Sequence, residues 1–169
     1  MNVRKHDRID HSLAQIAHQH PDLPLDGASI TLRLLLLGKL VEQGIARTLA
    51  EYDLQTWELD VLGALLRQGP PYMMTAGELA RNTLITCSGM THRLDRLQQR
   101  GFIIRAPLPE DRRQVIVSLT VEGRELAYKT VSIRAVDAQN FVAGLRDSER
   151  DQLETLLRQL LLSVENLTD

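Results

Sequence analysis

The chemistry open to this chain gathers where two consecutive arginines, Arg112 and Arg113, follow Glu110 and Asp111 just ahead of a β-branched run, "EDRRQVIVSLT". Guanidinium groups keep their charge at any ordinary pH and grip phosphate oxygens through a planar fork of donors, so the pair suits a polyanion. The alternative, a surface salt bridge with Glu110 or Asp111, is worth little. A second set of polar residues lies just upstream in "TCSGMTHRLDRLQQR". Advancing about 100° per residue along a helix puts Met90, Leu94 and Leu97 within about 60° of one another, facing a core. Ser88, His92, Asp95, Arg96 and Gln99 then point away. Short polar side chains on an exposed helix face can read base edges, although such a face taken alone is more readily a solvated one. The neighbouring arginine hairpin favours DNA.

Other constellations carry less. Cys87 and His92 are five residues apart, about 140° around a helix, and no third group orients them as a nucleophile and base. A helix start lowers a thiol pKa, which opens a redox reading of Cys87, but a small buried residue is the simpler account. His6, His11, His18 and His20 with Asp7 and Asp10 invite a metal reading without the spacing that would establish one. No catalytic residue, metal or cofactor is therefore expected. Trp57 reads as a core anchor, with a pocket wall as the lesser alternative.

The elements that must position these residues follow from periodicity and punctuation. Residues 29–50 form a long helix, with Leu32, Leu35, Leu36, Val41, Ile45 and Leu49 on a broad stripe. Residues 56–67 form a second, with Leu59, Leu62, Leu65 and Leu66 inward, ending at "QGPP". Thr75 and Glu78 make a capping box for a short helix, and a further helix spans about 86–99 and stops at Gly101. "FIIR" and "QVIVSL" are strands joined by the eight residues "APLPEDRR". Strand alternation puts Arg113 on the side of Val115 and Val117, and Arg112 on the other. Thr120 caps a long helix to about 143. Asp147 or Ser148 caps the last, whose apolar face is Leu153, Leu156, Leu157, Leu160, Leu161 and Val164. Two closely spaced helices followed by a hairpin is a winged helix-turn-helix arrangement. The fold class is mainly α with a small β-hairpin wing.

Composition agrees. The 169 residues are 43% hydrophobic and 25% charged, as in a soluble globular protein, and at 4% aromatic the core must be Leu, Val, Ile and Ala. Net charge is −2, yet residues 75–118 hold seven arginines against four carboxylates while both flanks are acidic. Such asymmetry fits either a solvated basic face or a polyanionic partner. One cysteine excludes an internal disulfide, the leading residues lack a signal-peptide core, and "LRLLLLGKL" is too short to span a bilayer. A cytoplasmic protein is expected.

From about residue 29 onward the chain resembles the MarR family of winged-helix transcriptional regulators. "SGMTHRLDRLQQRGFI" matches the recognition helix and its exit, and "PEDRRQVIVSLT" matches the wing. The resemblance implies no enzyme but a homodimeric regulator, a repressor released from a pseudo-palindromic operator by a small aromatic or phenolic effector. An enzyme or a winged-helix module that binds only protein is the alternative. The implied DNA contacts are Thr86, Ser88, Thr91, His92, Arg93 and Arg96 on the recognition helix and Asp111, Arg112 and Arg113 on the wing, with Asp111 orienting an arginine. Residues 55–119 are the expected DNA-binding domain, and 29–54 with 120–169 the dimerisation helices. Residues 1–28 are an extension with room for an extra helix. Two departures stand out: "DLQT" opens the second helix where relatives often have Ser, Thr or Pro, and His92 stands where many carry Asn.

Overall fold

Caps set where most of the helices begin. The computed structural model describes residues 6–83, 87–111 and 113–166, with Cys87 and Ser88 described in backbone alone. It divides into two compact units, Met1–Arg47 and Thr48–Asp169.

In the first unit the leading extension does form a helix, α1 (Arg8–Gln19). The Asp7 carboxylate accepts the amides of Ile9 and Asp10 at 2.8 and 3.1 Å, and Asp10 accepts the Asp7 N–H at 2.9 Å. The next helix, α2 (Asp26–Ala50), starts three residues ahead of the expected 29 and runs on into the second unit. Its Arg33 binds Asp7 at 2.9 Å and Asp10 at 2.6 Å. Each of these carboxyls, held first by the other's backbone N–H and then by Arg33, titrates below the ordinary 3.8.

The second unit continues with α3 (Thr56–Arg67), β1 (Met73–Thr75), α4 (Ala76–Asn82), α5 (Cys87–Gln99), β2 (Ile103–Pro107), β3 (Val115–Leu119), α6 (Val121–Phe141) and α7 (Asp147–Glu165). The strands form an antiparallel sheet in the order β1-β3-β2. Strand β1 went unread in the sequence, because three residues are too few to show alternation. The wing is shorter-tipped than expected: β2 extends through Pro107, which pairs with Val115. At the start of α7 the cap is Arg146, not Asp147 or Ser148; the Glu149 carboxylate accepts the Arg146 N–H at 2.8 Å.

The core is aliphatic, as the composition requires. Val61, Leu62, Leu65, Leu79, Leu94, Leu97, Ile103, Val117 and Ala127 are fully or almost fully buried, joined by Met74 and Met90. Helix α3 lies at its centre, with Val61 to Leu65 all buried. Its Leu59 and Leu66 are only half-buried, and on α2 Leu49 alone of the expected stripe is buried, Leu35 being 72% exposed.

One backbone crossing fixes the wing against α6. Thr120 caps α6 by accepting the Gly123 N–H at 2.9 Å and donates to Gly101 O at 2.7 Å. That draws the first turn of α6 so near Phe102 that a Cβ on Gly123 would lie 1.9 Å from the Phe102 carbonyl oxygen. Gly123→Ala should therefore cost about 3 kcal/mol or more, since backbone cannot yield as a side chain can; an unchanged urea midpoint would contradict this. The α1–α2 ion pairs give a second expectation. Folded pKa values below 3.8 mean the contribution of Asp7 and Asp10 is whole above that pH and lost as pH falls through the lowered values. The side-chain carboxyl carbon resonances of Asp7 and Asp10 should hold steady from neutrality down to that range and titrate only beneath it; titration of either carboxyl at or above 3.8 would rule this out.

Candidate nucleic-acid interface

Helix α5 is placed by what it buries. Thr75 opens α4 by accepting the Glu78 amide at 3.2 Å, and its own N–H, followed by its hydroxyl, holds the Glu78 carboxyl below the usual carboxylate range. After the break that follows, α5 sends Met90, Leu94 and Leu97 into the core, as the 100° spacing requires. Thr91 and His92 are thereby exposed. Thr86 and Arg112 lie outside the described residues, as do the side chains of Cys87 and Ser88.

The helix's basic residues are less free than their sequence positions implied. Arg93 lies over the Trp57 ring at 5.4 Å from its centroid and Arg96 over the same ring at 5.8 Å. Trp57 is half-buried: it packs against the core, as expected of a core anchor, and it also carries the flank of α5. Glu58, fully buried, accepts Arg100 at 2.9 Å and the Gln55 N–H at 2.9 Å, with Arg96 Nε 3.6 Å away. Arg100 also donates to the Asp53 carbonyl at 2.8 Å. On the other flank, Asp95 is not simply an exposed polar residue. It pairs with Arg105 of β2 at 2.5 Å, and Arg105 also donates to Gln98 at 2.6 Å. The helix and the wing strand are clasped together by this pair.

At the wing tip Asp111 is the organiser. Its carboxylate accepts the Arg113 N–H at 3.0 Å and the Gln114 side-chain amide at 3.2 Å, while its carbonyl accepts the Gln114 N–H at 2.9 Å. This is an Asx-type turn, which a short carboxylate forms readily. The side chain of Arg113 is 97% exposed, with Nε 3.9 Å from Asp111. Strand alternation does not give it a face, because β3 begins only at Val115 and Arg113 sits in the turn.

The structure thus exposes Thr91 and His92 on the outer face of α5, sets Arg93 and Arg96 along its flank over Trp57, and puts Asp111 and Arg113 at the tip of the adjoining hairpin. The sequence reading missed the contact of Trp57 with Arg93 and Arg96, the buried Glu58, and Arg105 as the clasp. The available signal was a lone Glu in the apolar run of α3, which has to find a cation once buried. Among the described residues no three His, Cys, Asp or Glu come together as a metal site, and no helix is long and apolar enough to cross a membrane.

Comparison with known proteins places these elements. A model of the MarR family matches residues 52–114, the stretch from the approach to α3 to the wing tip. The chain is 29% identical over 143 residues to the HTH-type transcriptional regulator PecS of Dickeya dadantii, covering 85% of this chain and 86% of PecS. It is 31% identical over 121 residues to YkoM of Bacillus subtilis, an HTH-type transcriptional regulator, covering 72% of this chain and 77% of YkoM. The solved structure of Bordetella bronchiseptica BpsR, whose DNA binding is regulated by 6-hydroxynicotinic acid, superposes with a TM-score of 0.67 at 26% identity, over 78% of this chain and 91% of BpsR.

The buried ion pair beneath the interface yields a stability test. Removing Arg100 strands a fully buried carboxylate, so Arg100→Ala should cost about 3 kcal/mol. Adding Glu58→Gln to that variant removes the stranded charge and should recover part of the loss, a coupling that denaturation of the single and double variants measures. Strictly additive losses would mean that the charge itself is not what Arg100 compensates.

Proposed function

The chain belongs to the MarR family of DNA-binding transcriptional regulators, and on that premise we propose that it is a homodimeric repressor, released from a pseudo-palindromic operator by a small aromatic or phenolic molecule. The family is one of regulators, not enzymes. The observation that carries the reading is the division of α5: one face locked in the core by Met90, Leu94 and Leu97, the other exposing Thr91 and His92 beside a wing that projects Arg113.

In this reading residues 55–119 are the DNA-binding domain. Ser88 and His92, with Thr86 and Thr91, meet base edges in the major groove, and Arg93 and Arg96 flank them. Arg113 enters the narrow, negative minor groove, Asp111 orients it, and Arg112 meets phosphate. Residues 29–54 and 120–169 supply the dimer contacts. Support for that comes from α7, which buries no residue within one chain and leaves Leu153, Leu156, Leu157, Leu160, Leu161 and Val164 all at least 39% exposed. A stripe of that kind is covered by a second copy in a twofold dimer. Two recognition helices then fall in successive major grooves, roughly 34–36 Å apart. The effector class implied by the family resemblance is supported by BpsR, whose DNA binding is regulated by a small aromatic acid. Such a ligand weakens DNA binding only by preferring the non-binding spacing of the two helices, so operator DNA should weaken ligand binding by the same factor.

A mobility shift on the DNA upstream of the chain's own gene, with unrelated DNA as competitor, tests the function. The wild-type chain should bind as a dimer, and His92→Ala should relax preference at particular base pairs by about 1–3 kcal/mol while leaving unrelated DNA almost unaffected. Equal loss on every sequence would assign His92 to the backbone instead. Leu157→Glu or Leu160→Glu should yield a monomer that has lost operator binding, and a wild-type monomer at micromolar concentration would refute the dimer.

A further inference from the structure

Two guanidinium groups of α5 share one aromatic ring. Arg93 and Arg96 stand one helical turn apart, and their Cζ atoms lie 5.4 and 5.8 Å from the centroid of Trp57. The indole is itself held in place: its Nε1 donates to Gln55 Oε1 at 2.6 Å, and its body packs on the core. Arg96 is drawn from a second side by the buried Glu58, 3.6 Å from its Nε, yet its side chain remains 47% exposed. A ring attracts the π face of a guanidinium and uses none of its five N–H donors, so both arginines keep their phosphate-binding edges while losing rotamer freedom.

We propose that Trp57 is a positioning residue for DNA binding, its ring holding Arg93 and Arg96 as two pre-placed phosphate clamps beside Thr91 and His92. This rests on the DNA-binding reading above. Phosphate is the target because both side chains are folded back on α3 at the helix flank, a posture unlike the extended reach to a base edge. A clamp already ordered gives up less freedom when DNA arrives, which is what α3 contributes to binding without touching the DNA itself.

Trp57 is the only tryptophan in the chain, so its fluorescence reports this ring alone. Without DNA, acrylamide should quench it more strongly in the Arg93→Ala/Arg96→Ala variant, because the arginine cover is gone. With DNA, Trp57→Leu should weaken binding to operator and unrelated DNA alike, by about two- to fivefold for each arginine released. The log–log salt slope should fall by about 0.9 for each phosphate that is no longer neutralised. Trp57→Phe, which keeps a ring, should restore most of both, and Trp57→Leu should add nothing in the doubly arginine-free background. Circular dichroism and melting establish that each variant is folded; if Trp57→Leu is not, Trp57→Phe and the DNA-free quenching decide. Equal losses for Leu and Phe, additive losses with the arginine variants, or a folded Trp57→Leu with wild-type affinity and slope would overturn the proposal. A wild-type chain that bound no DNA would remove the functional reading itself. Quenching blind to both arginines, in a chain that does bind DNA, would remove only this inference.

Discussion

Everything at the candidate nucleic-acid interface depends on the burial of one face of α5. Met90, Leu94 and Leu97 meet Leu62, Leu65, Ile103 and Val117 in a single aliphatic core, and a helix anchored at three points over two turns cannot rotate without exposing them. Because side chains repeat about every 100°, fixing that face also fixes which residues look outward. The same core holds β2 and β3, so the position of the wing relative to the helix is set by packing before any charge is considered. The Asp95–Arg105 pair then joins the two on the surface, where it adds orientation more than stability.

The concentration of arginine in the middle of an acidic chain has a divided explanation. Arg100 neutralises a buried carboxylate, Arg105 clasps the wing to the helix, and Arg93 with Arg96 rests on Trp57. Arg113, by contrast, is almost wholly solvent-exposed on a turn built by Asp111. The cationic segment therefore does two jobs with one residue type: some guanidinium groups hold α5 and the hairpin in place, and others remain available for a polyanion. Arginine suits both because its planar fork pairs with carboxylate and phosphate alike, and its face packs on aromatic rings.

Much of this was legible in the sequence. The 100° spacing of Met90, Leu94 and Leu97, the Thr75–Glu78 capping box, the Gly101 stop and the Thr120 cap each correspond to a feature seen in the structure, since each is a local signal with a local cause. What stayed hidden was long-range. Strand β1 is recognisable only by its pairing with β3, and Arg146 caps α7 through the returning Glu149 rather than through a cap-type side chain of its own. The Glu58–Arg100 pair joins residues 42 apart, and the Trp57 platform joins helices whose contact no periodicity encodes. Arg113 was misplaced on a strand face because alternation was carried two residues too far into the turn.

The central claim is that α5 reads the major groove while the wing enters the minor groove. Dimethyl sulfate probes both at once, since it methylates guanine N7 in the major groove and adenine N3 in the minor groove. On the DNA bound by the dimer, the account predicts protected guanine N7 positions in two major grooves about one helical turn apart, with protected adenine N3 positions flanking them. Affinity accompanied by unprotected N7 positions throughout the bound region would contradict it, because the protein would then be holding the backbone without its recognition helices in the groove.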